Sequence, residues 1–510
     1  MPGAGVNRIP AVRHALLFSV FVVASCGLAY ELIAAALSSY VLGDSVTQFS
    51  TVIGTYLFAM GVGSWLSKFI ERALAVRFIQ IELLVGVIGG FSAMLLFMVF
   101  AHAAEPFRLV LYGTVFVTGV LVGLEIPLIM RILKSQVAFK DLVAQVLSVD
   151  YLGALAVSIL FPLVLAPRLG LMRTSLLFGL MNVLVALWAI RLFGDALRPA
   201  RFLRAQGAAA LLLLLVGFVF AERLTALAEE GIYADQIIHA ESTPYQRIVI
   251  TRWREDIRLF LNGNLQFSSR DEYRYHEALV HPALAALPGA RRVLILGGGD
   301  GLAAREVLKY PQVESIVLVD LDARMTDLFR RNALLKHLNQ GSLDNPKLVV
   351  VNQDALKWLE ANPEVFDLVL IDFPDPSNHA LGKLYSSAFY RLLEKHLSAR
   401  GLVVVQATSP FYARKTFWSI VATLEDAGLV TAPYHAYVPS FGEWGYIIAG
   451  RGAFTPAAAF PVATRFLTPA TQKLMFDFPA DMARVPAEVN RLNNQSLVRT
   501  FEEEWGRVMR

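Results

Sequence analysis

The sequence predicts two halves of different fold class. A multi-span α-helical membrane domain is expected over residues 1–221, and an α/β domain with a small antiparallel β region at its start over 232–450. A C-terminal helical extension is expected over 451–510. Three observations carry this reading. The hydrophobic fraction of 55% and mean hydropathy of +0.51 are too high for a soluble enzyme of 510 residues. Charge is sparse before about residue 220 and ordinary after it. Beyond residue 235 the apolar pattern turns from long continuous runs to strand-like alternation.

Seven apolar segments, near 15–39, 48–67, 79–100, 107–130, 146–166, 173–190 and 205–221, have the length that crosses a hydrocarbon core as helix. The first is too long for a signal-peptide core and is read as a retained helix. Arg8, Arg13, Lys68, Arg72, Arg77, Arg131, Lys134, Lys140, Arg191, Arg198, Arg201 and Arg204 fall on one side of these spans, against Arg108, Arg168 and Arg173 on the other. Twelve against three puts the N-terminus in the cytoplasm. Seven crossings would then export everything after residue 221. Glu31, Glu82, Glu125 and Asp150 fall in or at the edge of spans, where a carboxylate suggests either a cation path or helix–helix hydrogen bonding. The net charge of +4 lies largely in short loops and forms no basic stripe, so nucleic acid is not an expected partner. The single cysteine, Cys26, excludes an intrachain disulfide and a cysteine metal cluster.

In the second half, "YQRIVITRW" and "IRLFLNGNLQF" alternate as strands, the latter turning at Asn262-Gly263. "DEYRYHEALVHPALAAL" reads as a helix with acids in its first turn. Strands are then expected at 292–296, 315–319, 347–351, 367–371 and 401–406 with helices between them, which makes a mostly parallel sheet covered on both faces. Ligands in such sheets sit at the carboxyl ends of strands. The first end, "VLILGGGDG", is a glycine turn that places the fixed anion Asp300 where a phosphate or carboxylate ligand would be repelled and an ammonium held. Asp320, about twenty residues on, suits ribose hydroxyls. Asp354 ends the next strand, and "IDFPDP" adds Asp372 and Asp375. Any one of these could cap a helix, but five together make an anionic cleft.

"ESTPYQRIVI", "LNGNLQFSSRDEYRYHEALVHP", "VLILGGGDG", "LVDLD", "NQDAL" and "IDFPDP" resemble the successive signatures of spermidine synthases, the polyamine aminopropyltransferases, over roughly 236–450. The apolar front half resembles the membrane-attached bacterial branch. The resemblance implies a methyltransferase-like (Rossmann-like) domain that uses decarboxylated S-adenosylmethionine as co-substrate, with no cofactor and no metal. It places Gln246, Asp320, Asp354 and Ala355 on the methylthioadenosine part of the donor and Asp300 on the aminopropyl amine. His276 and Asp375 fall on the polyamine side, and Asp372 at the proton acceptor. Tyr245 and Tyr275 lie in the matching motifs as lining residues.

The chemistry of the residues agrees with these roles. A sulfonium-bound carbon is already electrophilic, while an alkylamine with a pKa of about 10.4 arrives protonated and needs a carboxylate base. The chain departs from the family where "SNHALGKLY" replaces the usual proline-rich loop, with His379 at a nucleoside-contacting proline, and where Phe441 stands for a common tyrosine. Expected partners are putrescine or a related amine and the lipid bilayer, and the sequence leaves a homo-oligomer open. The expected place is the cell (inner) membrane with the catalytic domain cytoplasmic, because the donor is made in the cytosol. The alternatives are an S-adenosylmethionine-dependent methyltransferase, which Asp300 argues against, and a non-catalytic polyamine transporter or sensor.

Overall fold

The computed structural model describes residues 8–42, 45–102, 106–134, 139–194, 197, 200–233 and 235–508. The chain divides into two compact units, Met1–Gln236 and Ile237–Arg510.

The first unit is helical: α1 (Arg8–Leu42), α2 (Ser45–Leu66), α3 (Leu74–His102), α4 (Phe107–Leu133), α5 (Phe139–Leu160), α6 (Ala166–Phe193) and α7 (Ala200–Ile232). Among the described residues, six stretches are long and apolar enough to cross a membrane. One of them, Asp141–Phe193, is 53 residues long and covers both sequence segments 146–166 and 173–190. Gly170, at φ 73° and ψ 168°, breaks the helix between those segments, so this stretch is not one rod. With apolar surface on all sides, helices gain specificity from close backbone approach. A Cβ on Gly123 would stand 2.2 Å from the Met60 carbonyl oxygen, so α2 and α4 meet at their backbones. Glu31, Glu82 and Glu125 are buried in this unit, and Asp150 is half-buried.

The second unit opens with a four-stranded sheet, β1 (Gln236–Ser242), β2 (Arg247–Trp253), β3 (Asp256–Leu261) and β4 (Asn264–Ser268), in which β2, β3 and β4 pair antiparallel. Asn262 and Gly263 have φ of 50° and 81°, the left-handed pair that a tight hairpin requires. After α8 (Glu272–Ala286) come β5 (Arg292–Gly297), α9 (Leu302–Val307), β6 (Ser315–Asp320), α10 (Ala323–Arg331), α11 (Ala333–Leu338), β7 (Leu348–Asn352), α12 (Ala355–Ala361) and β8 (Phe366–Asp372). The chain continues through α13 (His379–Gly382), α14 (Ser387–Glu394), β9 (Leu397–Gln406), α15 (Arg414–Asp426), β10 (Val430–Val438) and β11 (Gly442–Gly450).

The seven strands run in the order β10-β11-β9-β8-β5-β6-β7. Neighbours from β9 to β7 are parallel, and β11 and β10 close the sheet antiparallel. Val293 and Ile295 join one core while Leu294 and Leu296 join the other, as expected of a strand covered on both faces. Each such fully buried side chain contributes roughly 1.5–3 kcal/mol. From β5 the chain goes outward to β6 and β7, then returns to place β8 on the other side of β5. That reversal opens a crevice at the strand ends. After residue 450 the chain carries α16 (Pro469–Met475) and α17 (Ser496–Val508), joined by proline-interrupted irregular segments.

Candidate active site

The site is built where β5 and β8 lie side by side, with Gly297 paired to Asp372. A Cβ on Gly297 would fall 2.2 Å from the Asp372 carbonyl oxygen, so only glycine lets the two strand ends approach this closely. Asp372 accepts a 2.5 Å hydrogen bond from the Tyr275 hydroxyl on α8. It keeps some accessible surface yet is enclosed by protein on most sides, and this burial raises its carboxyl above the usual range against the opposing pull of His276 and Tyr275.

Asp300, in the glycine loop, is 8% exposed. One of its oxygens accepts the Leu302 amide at 2.8 Å. Burial pushes its carboxyl up to about 6, with His276 pulling it down and Asp372 pushing it further up. Asp320 ends β6 and accepts from the amides of Gly299 at 3.1 Å and Asp322 at 2.8 Å. Its carboxyl also rises to about 6 through burial.

Asp375 is reached across the Phe373-Pro374 link. The Tyr385 hydroxyl donates to the Pro374 carbonyl at 3.1 Å, and the Gln406 amide donates to the Phe373 carbonyl. One Asp375 oxygen accepts from the Thr408 hydroxyl at 3.1 Å. The other is buried with no partner among the described residues. Burial lifts this carboxyl to about 7. Thr408 itself sits at φ 56°, an unfavourable place for a β-branched residue, and backbone strain of this kind concentrates at functional sites.

His276 is 2% exposed, and its Nδ1 lies 2.8 Å from both the Glu272 carboxylate and the Glu272 carbonyl. Burial pulls the imidazole down, but the hydrogen bond and charge of Glu272 outweigh it and push its pKa up to about 9. Arg305 grips both oxygens of Glu272 at 2.9 Å. Arg305, Glu272 and His276 thus form a chain of buried charges ending beside Asp300 and Asp372. In Glu272→Gln the imidazole loses its counter-charge, the positive charge near Asp372 weakens, and the acid limb of kcat/KM is expected at higher pH. A pH–rate profile checks this, and an unmoved limb excludes the role.

The other expected residues surround this centre. Gln246 donates to Asp322 at 3.0 Å, an acid that also accepts from Thr243 at 2.8 Å. Asp354 caps α12 through the Lys357 amide at 3.2 Å and pairs with Lys383 at 2.8 Å. Burial opposes ionisation of Asp354, but those partners prevail and lower its carboxyl. Ala355 is buried at the start of α12. Tyr245 is 55% exposed and is the one expected lining residue that is open to solvent. His379 is exposed beyond β8, and Phe441 meets Tyr275 edge-on at 6.1 Å and Trp444 at 4.9 Å.

Sequence reading missed Glu272, Arg305, Asp322, Gln406 and Thr408. Glu272 was detectable, since Glu and His four apart on a helix share a face. Arg305 lies 33 residues from Glu272, which leaves no local signal. Glu277, His281 and Glu306 are close enough to hold a metal ion. Their capacity is already engaged, however. Glu277 accepts the amides of Arg465, Phe466 and Leu467, and Glu306 meets His281, Arg305 and Lys309. This cluster ties α8 to α9 and to the C-terminal segment.

Such a two-faced sheet with carboxylates along its strand ends defines a Rossmann-like domain, and the profile of the spermine/spermidine synthase domain matches residues 272–453. The chain is 59% identical to polyamine aminopropyltransferase 1 of Ralstonia nicotianae, over 99% of this chain and 97% of that protein. It is 52% identical to the polyamine aminopropyltransferase of Leptospira interrogans, over 98% and 100% respectively. Among solved structures, spermidine synthase from Thermotoga maritima is similar over 48% of this chain and 85% of that chain, with 25% identity and a TM-score of 0.44. The chain belongs to the polyamine aminopropyltransferase family.

Proposed function

We propose that this chain moves the aminopropyl group of decarboxylated S-adenosylmethionine to putrescine, giving spermidine and methylthioadenosine. The observation that carries the reading is that Asp372 pairs with Gly297 at the strand ends while Asp300, three residues past Gly297 in the glycine loop, is within electrostatic reach of it, with Asp375 one short link further on. Asp300 holds the donor's ammonium, and Asp320 takes the ribose. Asp354, Ala355 and Gln246 flank the nucleoside. His276, Tyr275 and Asp375 line the acceptor side, with Tyr245 at its rim.

In the reaction, the acceptor nitrogen attacks the methylene carbon bonded to the sulfonium. The new C–N bond forms as the C–S bond breaks, and sulfur keeps the electron pair as a neutral thioether. The proton released from nitrogen passes to Asp372, which is oriented by Tyr275. Alignment and deprotonation are the work required of the protein, since the donor carbon is already activated.

Asp300→Asn is expected to weaken binding of the decarboxylated donor by about tenfold or more while sparing methylthioadenosine, because the product lacks the amine that Asp300 faces. Isothermal titration with both ligands checks this, and equal losses exclude the assignment.

The apolar helices of residues 1–221 are read as crossing the inner membrane, with residues 232–450 as the catalytic domain on the cytoplasmic face and 451–510 as its extension. The donor and a doubly charged diamine do not cross lipid freely. A cytoplasmic N-terminus then requires an even number of crossings. Either residues 205–221 stay on the inner side, or the stretch broken at Gly170 does not count as two crossings. In a Cys26→Ser background, Asp235→Cys is expected to escape a membrane-impermeant thiol reagent in intact spheroplasts and to react after lysis. Labelling before lysis excludes this topology.

A further inference from the structure

None of the residues assigned to the transfer lies in the helical unit, yet that unit buries polar groups that those assignments do not employ. Glu82 on α3 is 0% exposed and Glu125 on α4 is 1% exposed. Both oxygens of Glu82 and one of Glu125 have no hydrogen-bond partner among the described residues. The Tyr30 hydroxyl and both polar side-chain atoms of Asn182 share that condition, with Tyr30 3% and Asn182 0% exposed.

These groups converge. Phe100 near the end of α3 and Phe107 at the start of α4 have ring centroids 5.6 Å apart, and the two helices pack on each other, so they run antiparallel and Leu74 and Leu133 lie at the same end. Glu82 lies eight residues after Leu74 and Glu125 eight before Leu133. Both acids therefore lie about 12 Å in from that end. Along α3, Glu82, Gly86 and Gly89 share one face. A Cβ on Gly86 would stand 3.4 Å from the Asn182 Cβ, and one on Gly89 would stand 2.6 Å from the Tyr30 ring. Asn182 and Tyr30 thus line the face that carries Glu82. On α4, Val122 precedes Glu125 by one turn and would touch a Cβ on Gly27 at 2.9 Å, which turns Glu125 toward α1. Cys26 and Tyr30 of α1 are each within electrostatic reach of both acids.

We propose that Glu82, Glu125, Tyr30 and Asn182 form a binding site for a small organic dication, an alkyldiammonium, inside the helical unit. Two acids with no basic partner among the described residues are costly to ionise in an apolar interior, and a ligand of charge +2 offsets that cost as both give up their protons. An ammonium offers several N–H donors, which the carboxylates, the Asn182 carbonyl and the Tyr30 oxygen can accept. A hard metal ion asks for six or more oxygens, and within helices the backbone carbonyls are already taken by the helical ladder. Ionisable groups placed this way in membrane helices characteristically mark cation sites.

The test is equilibrium binding of radiolabelled putrescine to the purified full chain. An Asp372→Asn/Asp375→Asn background weakens the catalytic acceptor site. That background is expected to retain one saturable diamine per chain, and adding Glu82→Gln/Glu125→Gln is expected to weaken it by about tenfold or more. Glu82→Gln/Glu125→Gln in the native chain should keep aminopropyl transfer, which reports its folding. Should the paired variant fail to fold, Tyr30→Phe, which removes one hydroxyl, is expected to weaken the retained binding several-fold. Retained binding that neither variant weakens overturns the proposal, as does loss of all diamine binding in the Asp372→Asn/Asp375→Asn background. Displacement of the retained ligand by magnesium or calcium but not by a second unlabelled diamine also overturns it, in favour of a metal-ion site.

Discussion

Asp372→Asn is expected to lower kcat by about 10²- to 10⁴-fold, the range for loss of a general base, while methylthioadenosine binds nearly as before. The carboxamide keeps the size of the side chain and can still accept the Tyr275 hydroxyl, so the paired strand ends stay in place. It cannot accept a proton from the attacking amine. In the proposed assignment the nucleoside is held by Asp320, at the end of β6, and Asp354, at the cap of α12, so its affinity should change little. Single-turnover kinetics with preformed donor complex separate the chemical step from binding. A near-native rate at neutral pH excludes Asp372 as the base.

Asp375→Asn is expected to act on the acceptor instead. Its unpartnered buried oxygen is available to a cation, and its other oxygen is fixed by Thr408. Loss of a charge-assisted hydrogen bond is worth about 1.5–3 kcal/mol, so KM for putrescine is expected to rise by roughly 10- to 100-fold, with a smaller change in donor affinity. The pH dependence follows from burial, which lifts this carboxyl to about 7. Below that pH the group takes up a proton and ceases to attract an ammonium, so KM for the acceptor rises as pH falls through 7. As pH rises above 7 the carboxylate forms and KM levels off. The Asp375→Asn variant should lack this limb, since its carboxamide does not titrate there. An unchanged acid limb in the variant would assign it to another group.

How much of this was visible in the sequence depended on whether the signal was local. The five parallel strands were legible because each is a short apolar run followed by a helix signal. The Asn262-Gly263 turn was legible because few residues tolerate that backbone. The placement of Asp320 and Asp372 at strand ends, and of Asp300 and Asp354 just beyond them, was legible because strand ends converge in any parallel sheet. The closing pair β10 and β11 was not drawn. Pro433 lies within β10 and argues against a central strand, and the structure places β10 at the sheet edge, where a proline is tolerated. The Arg305 grip on Glu272 and the Thr408 contact to Asp375 depend on tertiary packing of distant segments, as does the shared depth of Glu82 and Glu125 on α3 and α4. Helix periodicity gives a face but not a register between helices.

Transfer of an aminopropyl group to an amine at the acid-lined strand ends can be read directly from its products. The most direct measurement is mass analysis of products after the purified full chain is incubated with decarboxylated S-adenosylmethionine and putrescine. A parallel incubation uses S-adenosylmethionine as donor. Equimolar spermidine and methylthioadenosine are expected from the decarboxylated donor, and no methylated amine from the other. A methylated putrescine with S-adenosylhomocysteine, or an unreacted decarboxylated donor beside a folded protein, would contradict it.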